Sequence, residues 1–152
     1  MGYILDLRKK VGKEPLIMVA CGAIIEEDGK LLLQQRADNG LWGFHGGSLE
    51  IGETLEETLI REVKEELNIN ITKCRLFKTY TGKDFLFTYP NGDVVYIVDN
   101  IFVVDAYEGE LKASDDEVKS LQWFEINQVP WDLVVPHNRM ILKEYLLNKK
   151  VK

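Results

Sequence analysis

The sequence has little of the residue types that mark redox, disulfide or zinc proteins. It contains two cysteines and two histidines in 152 residues. Cys21 and Cys74 are too far apart to form the close pair of a metal or redox motif. Cys21 also lies within an apolar run, so we expect it to be a reduced core residue.

A long hydrophobic segment and an excess of positive charge are also missing. The first residues include no apolar stretch long enough for a signal peptide or a membrane span, and Asp6 breaks the myristoylation pattern. The formal charge of −6 argues against broad binding to nucleic acid or anionic membranes. We therefore expect a cytoplasmic protein whose partners include neither nucleic acid nor membrane.

The length and composition predict one domain with a substantial core. A chain of 152 residues with 45% hydrophobic and 29% charged residues is ordinary for a globular protein. No repeat, low-complexity segment or linker divides it. Residues 1–15 precede the first strong apolar run and are interpreted as a lead-in to a domain spanning residues 1–152.

Strand and helix patterns alternate along the chain. Residues 17–25 are apolar on both alternating faces, which is typical of a strand covered on two sides. A turn at 26–29 leads to a return strand at 30–36, and the long apolar run at 94–104 predicts a central strand. Further strands are predicted at 71–80, 85–89 and 121–126, and a last helix begins at Pro136.

The segment from 54 to 68 has the pattern of an amphipathic helix. Thr54 and Glu57 are spaced as a capping box, in which each side chain binds the other residue's backbone N–H. Leucine and valine recur every fourth residue from Leu55 to Leu67, which gives one apolar stripe. Asn68 follows the stripe and tolerates the left-handed conformation that ends many helices.

Three glutamates on this helix conflict with its apolar stripe. Glu66 falls about 20° from Leu59 on a helical projection, at roughly 100° per residue. Glu62, Glu65 and Glu66 are related by i, i+3 and i+4, so their side chains converge and repel one another. A divalent cation such as Mg²⁺ or Mn²⁺ would relieve this repulsion, because hard cations prefer oxygen ligands. The alternative is an ordinary Glu-rich face in contact with solvent.

The glycine loop and the helix together resemble the Nudix box. That signature has a glycine, five residues, a glutamate, seven residues, and then Arg-Glu-aliphatic-x-Glu-Glu-x-Gly-aliphatic. Two positions depart from the family pattern: Asn68 replaces the last glycine, and His45 replaces the proline usual before the paired glycines. The matching residues are Gly47, Glu53, Arg61, Glu62, Val63, Glu65, Glu66 and Ile69.

The resemblance implies a fold, a reaction and a metal site. The fold would be α/β, a Nudix-type α/β/α sandwich around a mixed β-sheet. The reaction would be hydrolysis of a phosphoanhydride bond in a nucleoside diphosphate-linked substrate, with Mg²⁺ or Mn²⁺ as cofactor. Asp115 and Asp116 compete with one of the expected ligands, Glu117. The metal ligands would be the Gly46 carbonyl, Glu62, Glu65, Glu66 and Glu117.

Three residues form the expected catalytic group. Glu62 is the first choice for the base that takes the proton of the attacking water, and Glu117 or a neighbouring acid is the second. Arg61 is interpreted as an organiser that pairs with Glu53 or Glu57 and fixes the loop against the helix. We therefore assign Glu62, Arg61 and Glu53 to catalysis.

Two residues are predicted to contact the substrate. Arg36 ends the return strand near the glycine loop, and its planar guanidinium could clamp a phosphate; a surface ion pair is the alternative. Asn138 lies where relatives that recognise oxidised guanine nucleotides read a base edge, although helix capping is the more ordinary role. His45, beside the glycine loop, is interpreted as structural or adjacent to the substrate rather than catalytic.

The choice of substrate rests on missing signatures. No coenzyme A-type signature precedes the box, and neither an NADH-type signature nor the proline typical of ADP-ribose enzymes follows it. The prediction is therefore a nucleoside triphosphate pyrophosphohydrolase, with ADP-ribose, nucleotide-sugar or dinucleoside polyphosphate hydrolysis as alternatives. A non-catalytic nucleotide sensor is a second alternative. Many relatives dimerise, so a homodimer stays open, but no interface is marked in the sequence.

Overall fold

The computed structural model describes residues 2–114 and 116–151, with the side chains of residues 150 and 151 left out. Its helices are α1 (Tyr3–Val11), α2 (Leu55–Leu67) and α3 (Pro136–Val151). Its strands are β1 (Leu16–Ile24), β2 (Glu26–Glu27), β3 (Lys30–Arg36), β4 (Trp42–Gly43), β5 (His45–Ser48), β6 (Asn70–Tyr80), β7 (Leu86–Thr88), β8 (Val94–Glu108) and β9 (Val118–Glu125).

The strands form two sheets. The larger has the order β5-β1-β8-β6, with β7 also paired to β8. Strands β1 and β8 run parallel and the other pairs are antiparallel, so this sheet is mixed. The predicted mixed α/β fold and the central position of β8 are confirmed. The smaller sheet joins β2, β3 and β4, with β9 paired to β3, and the sequence did not predict it.

Helices cover both faces of the larger sheet because its central strands are apolar on both sides. On one face, Phe102 of β8 packs with Leu59 and Val63 of α2. On the other, Ile101 packs with Ile141 and with other residues of α3. Each face therefore has its own apolar cluster, and the central sheet separates the two.

Helix α2 has the ends that its sequence predicts. The Thr54 side chain accepts a hydrogen bond from the Glu57 N–H, and the Glu57 side chain accepts one from the Thr54 N–H. Asn68 ends the helix in the left-handed conformation, with φ of 63°. The change from glycine at this box position is therefore compatible with the backbone.

The amino-terminal residues form a helix where the sequence predicted only a lead-in. Tyr3 donates its N–H to Glu50 Oε1 at 2.8 Å, and Arg8 donates to the Val94 carbonyl. These contacts attach α1 to the loop before α2 and to the start of β8. The predicted strand at 85–89 also begins later than expected, because residues 83–85 form a 3₁₀ turn before β7.

None of the described helices has the length and apolar character needed to cross a membrane.

Candidate active site

A cavity of about 540 Å³ opens beside the glycine loop. One end is lined by that loop and by acidic side chains of α2 and of the segment before β9, while α1, β8 and α3 contribute other walls. The cavity brings together most of the residues predicted for the site, whereas Glu53, Arg61 and Glu65 do not line it. The predicted residues that do are Arg36, Gly46, Glu62, Glu66, Glu117 and Asn138.

The paired glycines allow two close approaches. Gly46 has φ of 145° and pairs with Gly22 of β1, and a Cβ at Gly46 would collide with the Cys21 carbonyl oxygen. A Cβ at Gly47 would instead overlap the Glu62 carboxylate. The first glycine therefore lets β5 lie against β1, and the second leaves room for an acidic side chain over the loop.

Glu66 is a buried carboxyl group with no protein cation beside it. It is 5% exposed; Oε1 accepts the Gly46 N–H at 2.7 Å, and Oε2 lies 3.3 Å from Gln34 Nε2. Among the described residues, no Lys or Arg side chain forms an ion pair with it. Burial raises the pKa of Glu66 to about 8, against the two hydrogen bonds that favour its ionised form. A cation bound at this end of the cavity would supply a counter-charge and favour the ionised form of Glu66.

Arg61 joins the loop to the helix. Its guanidinium donates to Glu53 Oε2 at 2.7 Å, to Glu53 Oε1 at 3.0 Å and to the Ser48 carbonyl at 3.1 Å. The hydrogen bond from Arg61 lowers the pKa of Glu53 to about 2. Of the two partners considered for Arg61, the structure selects Glu53, because Glu57 is engaged in the capping box.

The other two box glutamates differ in exposure. Glu62 accepts a hydrogen bond from Arg61 at 2.8 Å, and its side chain is 15% exposed. Burial raises the pKa of Glu62, Arg61 opposes that rise, and the negative charges of Glu65 and Glu117 add to it. The side chain of Glu65 is 59% exposed and lies 3.7 Å from Arg61. Glu62 thus lines the cavity, whereas Glu65 is exposed and does not line it.

The donor set suits a hard divalent cation, although it is not gathered around one point. Within residues 2–114 and 116–151, no three His, Cys, Asp or Glu side chains enclose a metal-sized space. Glu62 is turned towards Arg61, and Asp116 and Glu117 line the cavity from the segment before β9. Asp115, the other candidate acid, lies outside the described residues. Carboxylates without a protein cation still match the oxygen ligands that Mg²⁺ and Mn²⁺ prefer.

Arg36 lines the cavity and is engaged in an ion pair. Its guanidinium binds Asp38 through two hydrogen bonds of 2.8 and 2.7 Å and lies 5.0 Å from the centre of the Phe87 ring. The ion pair that was the alternative for Arg36 is therefore present. The phosphate clamp stays a prediction. A phosphate would have to share the Arg36 guanidinium with Asp38 or displace Asp38 from it.

Asn138 connects the last helix to the glycine loop. It lies in the first turn of α3 and is 8% exposed. Its Oδ1 accepts the Phe44 N–H at 3.0 Å, so the side chain ties α3 to the chain just before β5. The oxygen is thus used in a tertiary contact rather than at the start of its own helix.

His45 is enclosed by protein. It is 1% exposed, with Nδ1 3.0 Å from Gln34 Oε1 and Nε2 2.9 Å from the Leu32 carbonyl oxygen. Burial lowers the pKa of His45 to about 4, so the ring is neutral at pH 7. Gln34 lies between His45 and Glu66, which makes the histidine a support for the acidic end of the cavity.

Two lining residues were not identified as site residues from the sequence. Gln34 contacts Glu66, and Asp99 contributes a second buried carboxylate on β8. In the sequence Asp99 interrupts an apolar run that is predicted to be a buried strand, and Gln34 directly follows the three leucines of the predicted return strand. A polar residue inside such a run was the available signal, but it does not reveal that both face one cavity.

Comparisons with known proteins agree with this arrangement. The NUDIX domain family model matches residues 16–144. The chain is 39% identical over 131 residues to an ADP-ribose pyrophosphatase of Methanocaldococcus jannaschii, covering 84% of this chain and 72% of that protein. It is 33% identical over 118 residues to the NAD-capped RNA hydrolase NudC of Vibrio atlanticus, covering 76% of this chain but only 39% of that longer protein.

Solved structures show the same fold. The crystal structure of the MutT NUDIX hydrolase from Burkholderia pseudomallei is 29% identical, with a TM-score of 0.71, and the match covers 86% of this chain and 97% of that one. The family model covers well over half of the residues, and Gly47, Glu62 and Glu66 of the box line one cavity. The chain therefore belongs to the Nudix hydrolase family, whose members use divalent metal cations and act on nucleotide substrates.

Proposed function

We propose that the protein hydrolyses a phosphoanhydride bond in a nucleoside diphosphate-linked substrate with the help of Mg²⁺ or Mn²⁺. The observation that carries this proposal is the buried Glu66 carboxylate, which has no protein cation and lies beside Glu62 and the glycine loop. A buried negative charge without a counter-charge is unfavourable, and a divalent cation would compensate it.

The metal would be held by oxygen atoms from three segments. Glu62, Glu65 and Glu66 come from α2, the Gly46 carbonyl comes from β5, and Glu117 comes from the segment before β9. The bound cation would neutralise the substrate's diphosphate and lower the pKa of a bound water. Glu62 would then have to exchange its contact with Arg61 for one with the metal.

Glu62 is proposed as the general base. In the reaction a water oxygen bonds to phosphorus, the phosphoanhydride P–O bond breaks, and the water proton moves to a carboxylate. Glu62 lines the cavity, and burial raises the pKa of its carboxyl group, which makes the carboxylate a stronger base. Arg61 and Glu53 would fix the loop and the helix around it, and Glu117 is the second candidate base.

Substrate contacts are proposed for the other two predicted residues. Arg36 would bind a phosphate from the cavity wall, next to the Phe87 ring. Asn138 Oδ1 is occupied by the Phe44 N–H, so the side-chain amide nitrogen is the group left for reading a base.

The name of the Methanocaldococcus jannaschii relative favours ADP-ribose as the first substrate to test. Nucleoside triphosphates, preferred from the sequence, remain the second candidate. The NudC relative acts, by its name, on capped RNA, so a NAD-type cap joins the candidates despite the expectation of no nucleic acid.

A substrate panel tests the proposal. ADP-ribose, ATP, GTP, NAD, a nucleotide sugar and a dinucleoside polyphosphate would be incubated with Mg²⁺ or Mn²⁺, and the products identified by mass. We expect metal-dependent release of a nucleoside monophosphate from at least one of them. Tight nucleotide binding without products would contradict hydrolysis and favour the sensor. Size measurement in solution would test the homodimer, which stays a prediction along with the cytoplasmic location.

A further inference from the structure

A second buried carboxylate faces the cavity on β8. Asp99 is 6% exposed, and no described side chain or N–H forms a hydrogen bond or an ion pair with it. Its oxygens are not fully enclosed by protein, because Asp99 lines the cavity. The carboxyl group of Asp99 can therefore form hydrogen bonds with a molecule in the cavity.

The next residue, Asn100, has a polar side chain with a structural role in the same strand, and it serves as a comparison. Asn100 points to the opposite face of the sheet, donates to the Ala20 carbonyl at 3.0 Å and accepts from the Thr79 hydroxyl at 2.8 Å. The side chain of Asn100 therefore has hydrogen-bond partners within the protein, whereas that of Asp99 has none among the described residues. An unpartnered carboxyl group inside a sheet is unfavourable, and a bound hydrogen-bonding partner would offset that cost.

One wall of the cavity combines Asp99 with an aromatic ring. Gly22 of β1, Phe44 and Asp99 all line the cavity. A Cβ built on Gly22 would lie 3.0 Å from Ile101 Cδ1, 3.6 Å from Cδ2 of the Phe44 ring and 3.8 Å from Asp99 Oδ1, so the three side chains lie close together over Gly22. An aromatic ring with a polar group beside it suits a nucleobase.

Asp99 lies at a suitable separation from the acidic end of the cavity. Asp99 pairs with Ala20, Ala20 pairs with Ser48, and Gly46 is two residues from Ser48 on β5. With strands about 4.8 Å apart and a rise of about 3.4 Å per residue, the Cα atoms of Asp99 and Gly46 are about 12 Å apart. A sugar fits between a phosphate at the glycine loop and a base at Asp99.

We propose that Asp99 is a specificity-determining residue, which accepts a hydrogen bond from an exocyclic amino group of the substrate's base. The substrate class then narrows to adenine, guanine and cytosine nucleotides, because uracil and thymine have no amino group. A carboxylate is a suitable acceptor for such a group. The inference rests on the proposed function in one respect, namely that the substrate's phosphates bind beside Glu62 and Glu66.

Both protonation states of Asp99 can serve this purpose. Burial raises the pKa of Asp99 to about 7. The ionised form offers two acceptors, which match the amino and N1–H groups of guanine. The protonated form offers a donor and an acceptor, which match N1 and the amino group of adenine. Each form keeps an acceptor for the amino group.

Matched substrate pairs test the role of Asp99 in hydrolysis. ATP would be compared with purine riboside triphosphate, and GTP with ITP, since each pair differs by one amino group. We expect kcat/KM to favour the amino member of at least one pair by about 10- to 100-fold, the range for one specific base contact. Asp99→Ala should bring that ratio close to one. Asp105→Ala, on the same strand but outside the cavity, should keep it.

Binding without metal separates this inference from the proposed function. AMP against purine riboside monophosphate, and GMP against IMP, would be titrated by calorimetry into wild type and Asp99→Ala. Equal wild-type affinity and equal kcat/KM within both pairs would overturn the role of Asp99 while leaving hydrolysis intact. A preference that Asp99→Ala retains would overturn it too. Selective binding without hydrolysis would contradict the proposed function alone.

Discussion

Glu62 and Glu66 are one turn apart on α2, yet their surroundings differ. Glu66 is held by the Gly46 N–H and by Gln34, so its position is fixed before any ligand binds. Glu62 is held by Arg61, a partner that it can leave. The fixed carboxylate suits a metal anchor, and the movable one suits a base or an exchangeable ligand.

Replacing the proposed base should reduce turnover far more than substrate binding. We expect Glu62→Gln to lower kcat by roughly 10²–10⁴-fold, because a general base contributes a factor of that size. Glu56→Gln, an exposed change on the same helix, is the control and should keep the wild-type rate. A Glu62→Gln enzyme with wild-type kcat at limiting Mg²⁺ would rule out Glu62 as the base.

Gly47→Ala should disturb Glu62 without changing the backbone. Gly47 is not among the glycines with positive φ, so alanine fits its conformation, but the added Cβ would overlap the Glu62 carboxylate. We expect a loss of about 100-fold in kcat with a nearly unchanged melting temperature, in line with small misplacements of catalytic groups. Ser48→Ala is the matched neighbour and should stay active. Full activity in Gly47→Ala would show that Glu62 need not lie over the loop.

At the scale of elements, helix α2 was predictable because its signals are local. The capping box, the four-residue stripe and the left-handed Asn68 all depend on neighbours in sequence, and the structure confirms them. Helix α1 was missed because its nine residues are held by distant partners of Tyr3 and Arg8. The smaller sheet was missed for the same reason, since β3 and β9 are far apart in the chain.

The capping box makes a measurable contribution to stability. Thr54→Ala removes the acceptor for the Glu57 N–H, and we expect the free energy of unfolding to fall by about 1 kcal/mol. Denaturant titration would measure it. Thr54→Ser keeps a hydroxyl and should lose only a fraction of that amount. Equal stability of the alanine and serine variants would show that the cap is dispensable.

At the scale of the whole molecule, two buried carboxylates face one cavity in a protein of net charge −6. The sequence indicated the first, because Glu66 falls within the apolar stripe of α2 and at a box position. It did not indicate that Asp99 shares the cavity, because that depends on the pairing of β8 with β1. Which side chains line the cavity thus depends on tertiary structure, which the local sequence pattern does not reveal.

The pH dependence of stability reports on Asp99 in the metal-free protein. Burial raises its pKa from 3.8 to about 7, so the folded protein keeps a proton that the unfolded chain releases. The contribution of Asp99 to the free energy of unfolding is therefore fully present below about pH 4 and is lost as the pH rises to about 7. We expect Asp99→Asn to abolish that loss, which amounts to on the order of 1–4 kcal/mol.

Denaturant unfolding at pH 4.5 and 7.5 with a chelator would measure the difference. Glu66 also has a raised pKa and contributes in the same direction, so the comparison of Asp99→Asn with wild type isolates the part due to Asp99. An equal change in the free energy of unfolding between the two pH values in both proteins would mean that Asp99 ionises in the folded protein without loss of stability.

A manganese-soaked crystal gives the most direct test of the metal centre. We expect an anomalous difference peak in contact with Glu66, Glu62 and the Gly46 carbonyl, with Glu62 released from Arg61. Glu66→Gln crystals treated in the same way should lose or weaken that peak. The opposite result is a fully soaked wild-type crystal with Glu62 still on Arg61 and no peak beside Glu66. It would leave the buried carboxylate without a cation and contradict the metal-dependent mechanism.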